Sequence, residues 1–349
     1  MPTSPIPVQQ VRSRRVGSCA QGSDGSSHQG RSAAASDSGA GSLGAWSLMG
    51  ALLRKAARMI RGAPHLAPGR QSATGTGRTA GMRRTLHTTL SGELAGPQTV
   101  YAIVAAAATY APSQESLSVT LDGEPADVSQ LVGPHGTRLH RFALEPGARP
   151  AHFELAYDAV LDGEAPPPLD DPVDLPIYLR PSRYCESDRL GQLARERFGG
   201  LTGAVLTEAV TEWVHDHLAY VPGSTGPSHS TLDVLESRQG VCRDHAHLAI
   251  SMLRARNTPA RFVAVWAPGL RPMEFHAVAE AYVDGQWQVL DPTHLAPRRA
   301  MVRIATGRDA ADTAFLSSYG AGLRLTGYRV RADIDELSSE ERTAPVVLT

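Results

Sequence analysis

From Met82 onward, apolar and polar residues alternate in short runs. "MRRTLHTTLSGEL", "TVYAIVAAA", "SLSVTLDG", "TRLHRFALEPG" and "AHFELAYDAVLDG" each read as a strand. Successive side chains of an extended chain face opposite sides of a sheet, which sets this period of two. Asp122-Gly123 and Asp162-Gly163 supply tight turns. The spacing predicts a small antiparallel β domain over residues 82–162. "GEAPPPLDDPVDLP", residues 163–176, ends the pattern as a proline-rich linker.

After the linker the period lengthens. "SDRLGQLARERFGG" reads as a helix with Ser187 as its cap and Gly199-Gly200 at its end. A longer helix is predicted from Gly203 to Leu218, then a Gly/Ser/Pro loop from Pro222 to Ser228. "RQGVCRDHAHLAISMLRARN", Arg238 to Asn257, follows as an amphipathic helix with Ala246, Ala249, Ile250 and Leu253 on its apolar face. "RFVAVWAPG", "HAVAEAYVDG", "QWQVLDPTH" and "RAMVRIATG" return to strand pattern. This order predicts an α+β catalytic domain over 177–330 and a C-terminal tail over 331–349.

Residues 1–81 carry no sustained period and are rich in Ser, Gly, Ala and Arg. A segment that buries so little apolar area cannot offset its ordering entropy, so it is predicted to be a disordered tail. Within it, Ser47 to Pro64 could form a short basic amphipathic helix.

Charge separates the same two regions. The tail has a net of +8 and the remaining residues −9, within a chain of net −1. The overall balance predicts neither nucleic-acid nor membrane binding, although a basic tail could attract polyanions. No apolar run reaches the roughly 20 residues a membrane helix needs; Val100 to Ala108 is too short and reads as a strand. One lysine, Lys55, stands against 33 arginines, a bias of composition rather than of chemistry. Cys19, Cys185 and Cys242 are the three cysteines. An odd, sparse count argues against a disulfide scaffold and fits a cytoplasmic location.

The chemistry centres on Cys242. It begins the predicted helix, where the positive end of the macrodipole favours a thiolate over a thiol. Gly240 just before it allows a tight turn. A cysteine nucleophile also needs a base and a group to orient that base. His276 opens one strand of the downstream hairpin and Asp291 closes the other. The Asp284-Gly285 turn sets Val283 opposite Gln286, so facing positions sum to about 569. His276 then lies diagonally from Asp291 on the same sheet face, within reach. Asp291 can hold one ring nitrogen of His276 and leave the other for Cys242.

"GVCRDHAHLAISMLRARNTPARFV" followed by "HAVAEAYVDGQWQVLDPTH" resembles the transglutaminase-like superfamily, with its papain-like Cys-His-Asp core. The resemblance runs from about Tyr178 to His294. "YLRPSRYCESD" is similar to the entry to this core in a bacterial subset, and the preceding β region resembles, more weakly, that subset's N-terminal domain. It implies Cys242 as nucleophile, His276 as general base and acid, and Asp291 as orienter. It further implies attack on an amide carbonyl and an acyl thioester passed to water or an amine, on a peptide or protein substrate. The expected activity is that of a cysteine-dependent amide hydrolase or acyltransferase, with hydrolysis favoured. Lys55 is the only lysine available for self-crosslinking.

Stabilising the tetrahedral intermediate requires an oxyanion hole. The Cys242 backbone N–H is one natural donor; Tyr220 is the candidate for the second, and His245 is a candidate cleft residue. A metal site drawn from Cys242, His245 and His247 is disfavoured, because His247 lies roughly 140° around the helix from Cys242. No calcium-loop pattern occurs, and no metal or other cofactor is expected. Asp244 and His247 are expected to brace neighbouring backbone. Cys185 and Trp266 are expected to be structural, and His294 to be a loop residue near Asp291. A non-catalytic binding or scaffold role on the same fold is the alternative reading.

Overall fold

The computed structural model describes residues 82–167, 171–337 and 340–349. The predicted disordered tail, with its basic segment from Ser47 to Pro64, lies outside the described residues.

The first part of the chain forms strands as its alternation requires. They are β1 (Arg83–Leu94), β2 (Gln98–Ala102), β3 (Gln114–Leu121), β4 (Glu124–Pro125), β5 (Ser129–Val132), β6 (Arg138–Leu144) and β7 (Ala151–Asp162). Every second residue of β7 from Ala151 to Leu161 is buried. These strands make two antiparallel sheets that share one core, with Phe142 of β6 meeting Phe153 of β7 at a ring separation of 5.7 Å. The strand expected over Val100 to Ala108 stops at Ala102. Beyond it, isolated backbone bonds, such as the Ala107 N–H to the Arg303 carbonyl at 2.8 Å, alternate with bonds to side chains. Trp266 Nε1 donates to the Val104 carbonyl, Ala106 N–H donates to the Tyr157 hydroxyl, and Arg138 Nε donates to the Ala106 carbonyl.

The second part contains α1 (Asp174–Ile177), α2 (Gly191–Phe198), α3 (Gly203–His217), β8 (Ala219–Tyr220), α4 (Thr231–Ser237), β9 (Gln239–Gly240) and α5 (Cys242–Ala255). It continues with β10 (Ala260–Trp266), β11 (His276–Val283), β12 (Gln286–Leu290) and β13 (Val302–Gly307), which form one antiparallel sheet in the order β12-β11-β10-β13. All seven residues of β10 are buried, so its continuous apolar run marks a strand covered on both faces.

The helix α5 is covered on all sides and not only on its predicted apolar face: every residue from Cys242 to Arg254 is buried. Its polar side chains find individual partners, although His247 Nδ1 is buried without one among the described residues. Arg243 pairs with Asp244 and donates to the Gly226 carbonyl; His247 Nε2 accepts the Ala310 N–H at 3.1 Å; Arg254 donates to the carbonyls of Ala260, Arg180 and Arg308. Asp244 and His247 therefore brace backbone, as buried polar groups must be paired.

Beneath β11 lies an ion network. Glu280 accepts from Arg261 Nε at 2.7 Å and from Arg303 Nη2 at 2.6 Å, and Arg261 also pairs with Asp174 at 3.2 Å. The Arg261 guanidinium stacks 3.9 Å over Trp287.

The C-terminal boundary departs from the expected one at 330. Strands β14 (Leu316–Gly320) and β15 (Leu323–Ile334) return to the first two sheets, β14 pairing with β2 and β15 with β1. The segment expected as a tail also contributes buried residues, Val346 and Leu348, and the Val289 N–H donates to the Val346 carbonyl. Alternation shows that a strand forms; it does not show which distant strand will pair with it.

Candidate active site

Cys242 is the first residue of α5, preceded by extended Val241. The short parallel pair β8-β9 sets Tyr220 beside Gly240, two residues before the cysteine. Gly240 serves here through size rather than backbone freedom. A Cβ on it would lie 2.6 Å from the Asp244 Cβ. Asp244 needs that space: its Oδ2 accepts the Val241 N–H at 2.9 Å and the Thr225 hydroxyl, capping the helix that presents Cys242.

The hairpin supplies the other two side chains. Val283 pairs with Gln286 and Ala279 with Leu290, through a turn in which both Asp284 and Gly285 have positive φ. His276 opens β11 and Asp291 follows β12. His276 Nε2 and Asp291 Oδ2 lie 2.9 Å apart. The other Asp291 oxygen accepts the Thr293 N–H at 3.0 Å and the Thr293 hydroxyl at 2.6 Å. The carboxylate is thus fixed by three donors, and Thr293, unremarked in the sequence, is what orients it.

All three side chains are buried: Cys242 is 1%, His276 0% and Asp291 3% exposed. Burial by itself would push the His276 imidazolium down. The Asp291 carboxylate, and to a lesser extent the Cys242 sulfur, outweigh it and hold the group up at about 10. Burial would likewise push the Asp291 carboxyl up, but His276 and the Thr293 donors hold it below the ordinary carboxylate value. Asp291 engages Nε2, and His276 Nδ1 has no hydrogen-bond partner among the described residues.

Tyr220 and His245 both lie at this site. Their rings are 5.8 Å apart, and the His245 Nδ1 lies 3.0 Å from the Val241 carbonyl oxygen. Burial pushes His245 down, which keeps its ring neutral. The Tyr220 phenol is pushed up by burial, then by the charges of Cys242 and Glu274, against a hydrogen bond with the Cys242 backbone. Its hydroxyl donates to Glu274 Oε1 at 3.1 Å. Glu274 is a site residue that pattern reasoning passes over. Its one signal is a carboxylate two residues before His276 in an otherwise apolar approach, "PMEFHAV".

The remaining candidates fall elsewhere. The Cys185 thiol lies against the His247 carbonyl oxygen, and burial pushes it up to about 12. Trp266 is fully buried, stacking with Tyr157 at 6.1 Å. His294 stacks on His215 at 4.1 Å and, with Asp291, lines a cavity of about 320 Å³. Among the described residues no group of three or more His, Cys, Asp or Glu side chains is placed to hold a metal ion.

A start-of-helix cysteine, a strand histidine and an aspartate closing the next strand are the parts of a papain-like core. Residues 199–292 match the family model of the transglutaminase-like superfamily. A solved structure, described as a putative cysteine protease from Cytophaga hutchinsonii, is 32% identical and superposes with a TM-score of 0.67, over 74% of this chain and 92% of its own. The chain belongs to the transglutaminase-like superfamily. An uncharacterized Mycobacterium leprae protein is 32% identical over 139 residues, which are 37% of this chain; the match spans only 50% of that relative's length. An uncharacterized Mycobacterium tuberculosis protein is 29% identical over 235 residues, 56% of this chain and 72% of its own. No helix among the described residues is long and apolar enough to cross a membrane. The matched segment runs from α3 through α5 and β10 to the end of β12 and Asp291.

Proposed function

We propose that this transglutaminase-like protein is a cysteine-dependent hydrolase or acyltransferase of a peptide or isopeptide-like amide. The observation that carries this reading is the buried His276–Asp291 pair, 2.9 Å apart, with its charge also responding to Cys242. His276 takes the thiol proton, and Cys242 Sγ attacks the amide carbonyl carbon. The carbonyl π pair moves to oxygen, which accepts from the Cys242 backbone N–H and the Tyr220 hydroxyl. The C–N bond then breaks as His276 protonates the leaving amine, and a thioester remains. Water, deprotonated by His276, attacks the thioester and releases the acid. Asp291 keeps the His276 ring oriented through both steps.

Hydrolysis is favoured over crosslinking, since Lys55 is the only lysine for an internal acceptor. A reducing cytoplasm suits a nucleophile that must stay a free thiol. The test is incubation with a peptide library, wild type beside Cys242→Ala, with products and acyl-enzyme read by mass spectrometry. Thioester on Cys242 and cleaved amides in wild type alone are expected. Equal turnover by both proteins would remove Cys242 from the mechanism.

A further inference from the structure

One buried acid at this site has no role in the steps above. Glu274 is 5% exposed. Its Oε1 receives the Tyr220 hydroxyl, while Oε2 is buried without a hydrogen-bond partner among the described residues. A carboxylate left this way keeps a desolvated charge with one oxygen unsatisfied, whereas a neutral acid that donates from Oε1 to the Tyr220 oxygen leaves only a carbonyl oxygen unpaired.

The resting contacts show what must change during reaction. Tyr220 hydrogen bonds the Cys242 backbone and donates its own proton to Glu274. An oxyanion formed over Cys242 takes both the Cys242 N–H and the Tyr220 proton. The phenol oxygen then needs a new donor, and Glu274 is the group already 3.1 Å from it.

We propose that Glu274 is the positioning residue of the oxyanion site: as a neutral acid it donates to the Tyr220 oxygen and turns the Tyr220 hydroxyl toward the reacting carbonyl. The inference rests on Cys242 being the nucleophile. Three titratable side chains act on Glu274: Tyr220 from β8, His276 from β11 and Tyr328 from β15. Cys242 lies beyond Tyr220. Burial pushes Glu274 up; the Tyr220 bond and the His276 charge oppose it without cancelling it. Neutral Glu274 also spares Tyr220 a competing acceptor.

Two small probes test this without knowledge of the natural substrate. p-Nitrophenyl acetate acylates Cys242 through a tetrahedral oxyanion, expelling p-nitrophenolate. Iodoacetamide alkylates the same sulfur by displacement of iodide, with no oxyanion. The ratio of the two rates cancels the titration of the thiol and of His276. In wild type this ratio should fall as pH rises past the deprotonation of Glu274. Glu274→Gln, which keeps a donor facing Tyr220, should hold the ratio flat at its low-pH value. Glu274→Ala should lower it about tenfold at every pH, the effect of one hydrogen bond. Tyr220→Phe should lower it too, and adding Glu274→Ala to that variant should change nothing more. The proposal is overturned if the wild-type ratio is flat with pH, if Gln behaves like Ala at position 274, or if Tyr220→Phe leaves the ratio unchanged. A folded wild type whose Cys242 reacts with neither probe would instead remove the nucleophile reading itself.

Discussion

Replacing Asp291 by Asn keeps the shape of the buried pair and removes its negative charge. The His276 imidazolium is held up at about 10 from an ordinary 6.5, chiefly by Asp291 against burial. At about 1.36 kcal/mol per pKa unit, this corresponds to stabilisation on the order of 5 kcal/mol, shared between Asp291 and Cys242. That agrees with the roughly 3–5 kcal/mol lost when one member of a buried ion pair is removed. The sign follows from linkage. A raised histidine stabilises fully below 6.5, and the contribution is lost as pH rises through about 10. In Asp291→Asn, burial dominates, His276 titrates below its ordinary value, and its contribution is instead lost toward acid. Urea unfolding at intervals from pH 6 to pH 10 reads this directly. The chain's 13 histidines, 3 cysteines and 9 tyrosines also titrate in or near that window, but both proteins share all of them, so the difference between the two curves reads the pair. Relative to Asp291→Asn, wild-type stability should fall by several kcal/mol across that window. The same variant should lose about 10³–10⁴ in kcat. An equal alkaline loss of stability in both proteins would refute the charge pairing.

Cys242→Ala should abolish turnover and leave the thermal midpoint within a few degrees, because truncating one small buried side chain costs only about 1 kcal/mol. Glu280→Gln strips the charge that Arg261 and Arg303 share, so we expect a loss of about 3–5 kcal/mol by chemical denaturation. Since those arginines overcome burial to hold Glu280 down at about 2, the wild type should lose stability as pH falls from 4.5 toward 2. Glu280→Gln should lack that acid slope. Gly240→Ala forces a methyl against the Asp244 Cβ and should cost about 1–3 kcal/mol, with slower iodoacetamide labelling of Cys242 as the helix cap shifts.

How much of the site was legible depended on the range of the determinant. The contact of His276 with Asp291 follows from a two-residue turn, so local sequence sufficed: Val283 faces Gln286 as Asp284-Gly285 requires. The placement of Cys242 at a helix start was equally local. The surroundings of α5 were not. That Asp244 and His247 brace backbone was legible, but the partners were not: Arg243 meets Thr225 and Gly226, and His247 meets Tyr184 and Ala310. Those partners come from segments 17 to 63 residues away in sequence, and no periodicity records them. Thr293 and Glu274 were passed over for a related reason. Each acts by completing the valence of another side chain, and neither carries a spacing rule of its own.

The return of β15 to β1 imposes an order on synthesis. Arg84 pairs with Ile334, so the first described strand waits for nearly the whole chain before it gains its second neighbour. Until then one side of β1 stands as an open edge, able to recruit strands from other molecules. Closing that pairing carries the loop-entropy cost of everything between, including α5 and the β10–β13 sheet. Folding of the sandwich should therefore be slow and non-local, completed after the ribosome has released β15. A nascent chain stalled before Leu323 would hold α5 beside an unfinished sheet whose edge is still open.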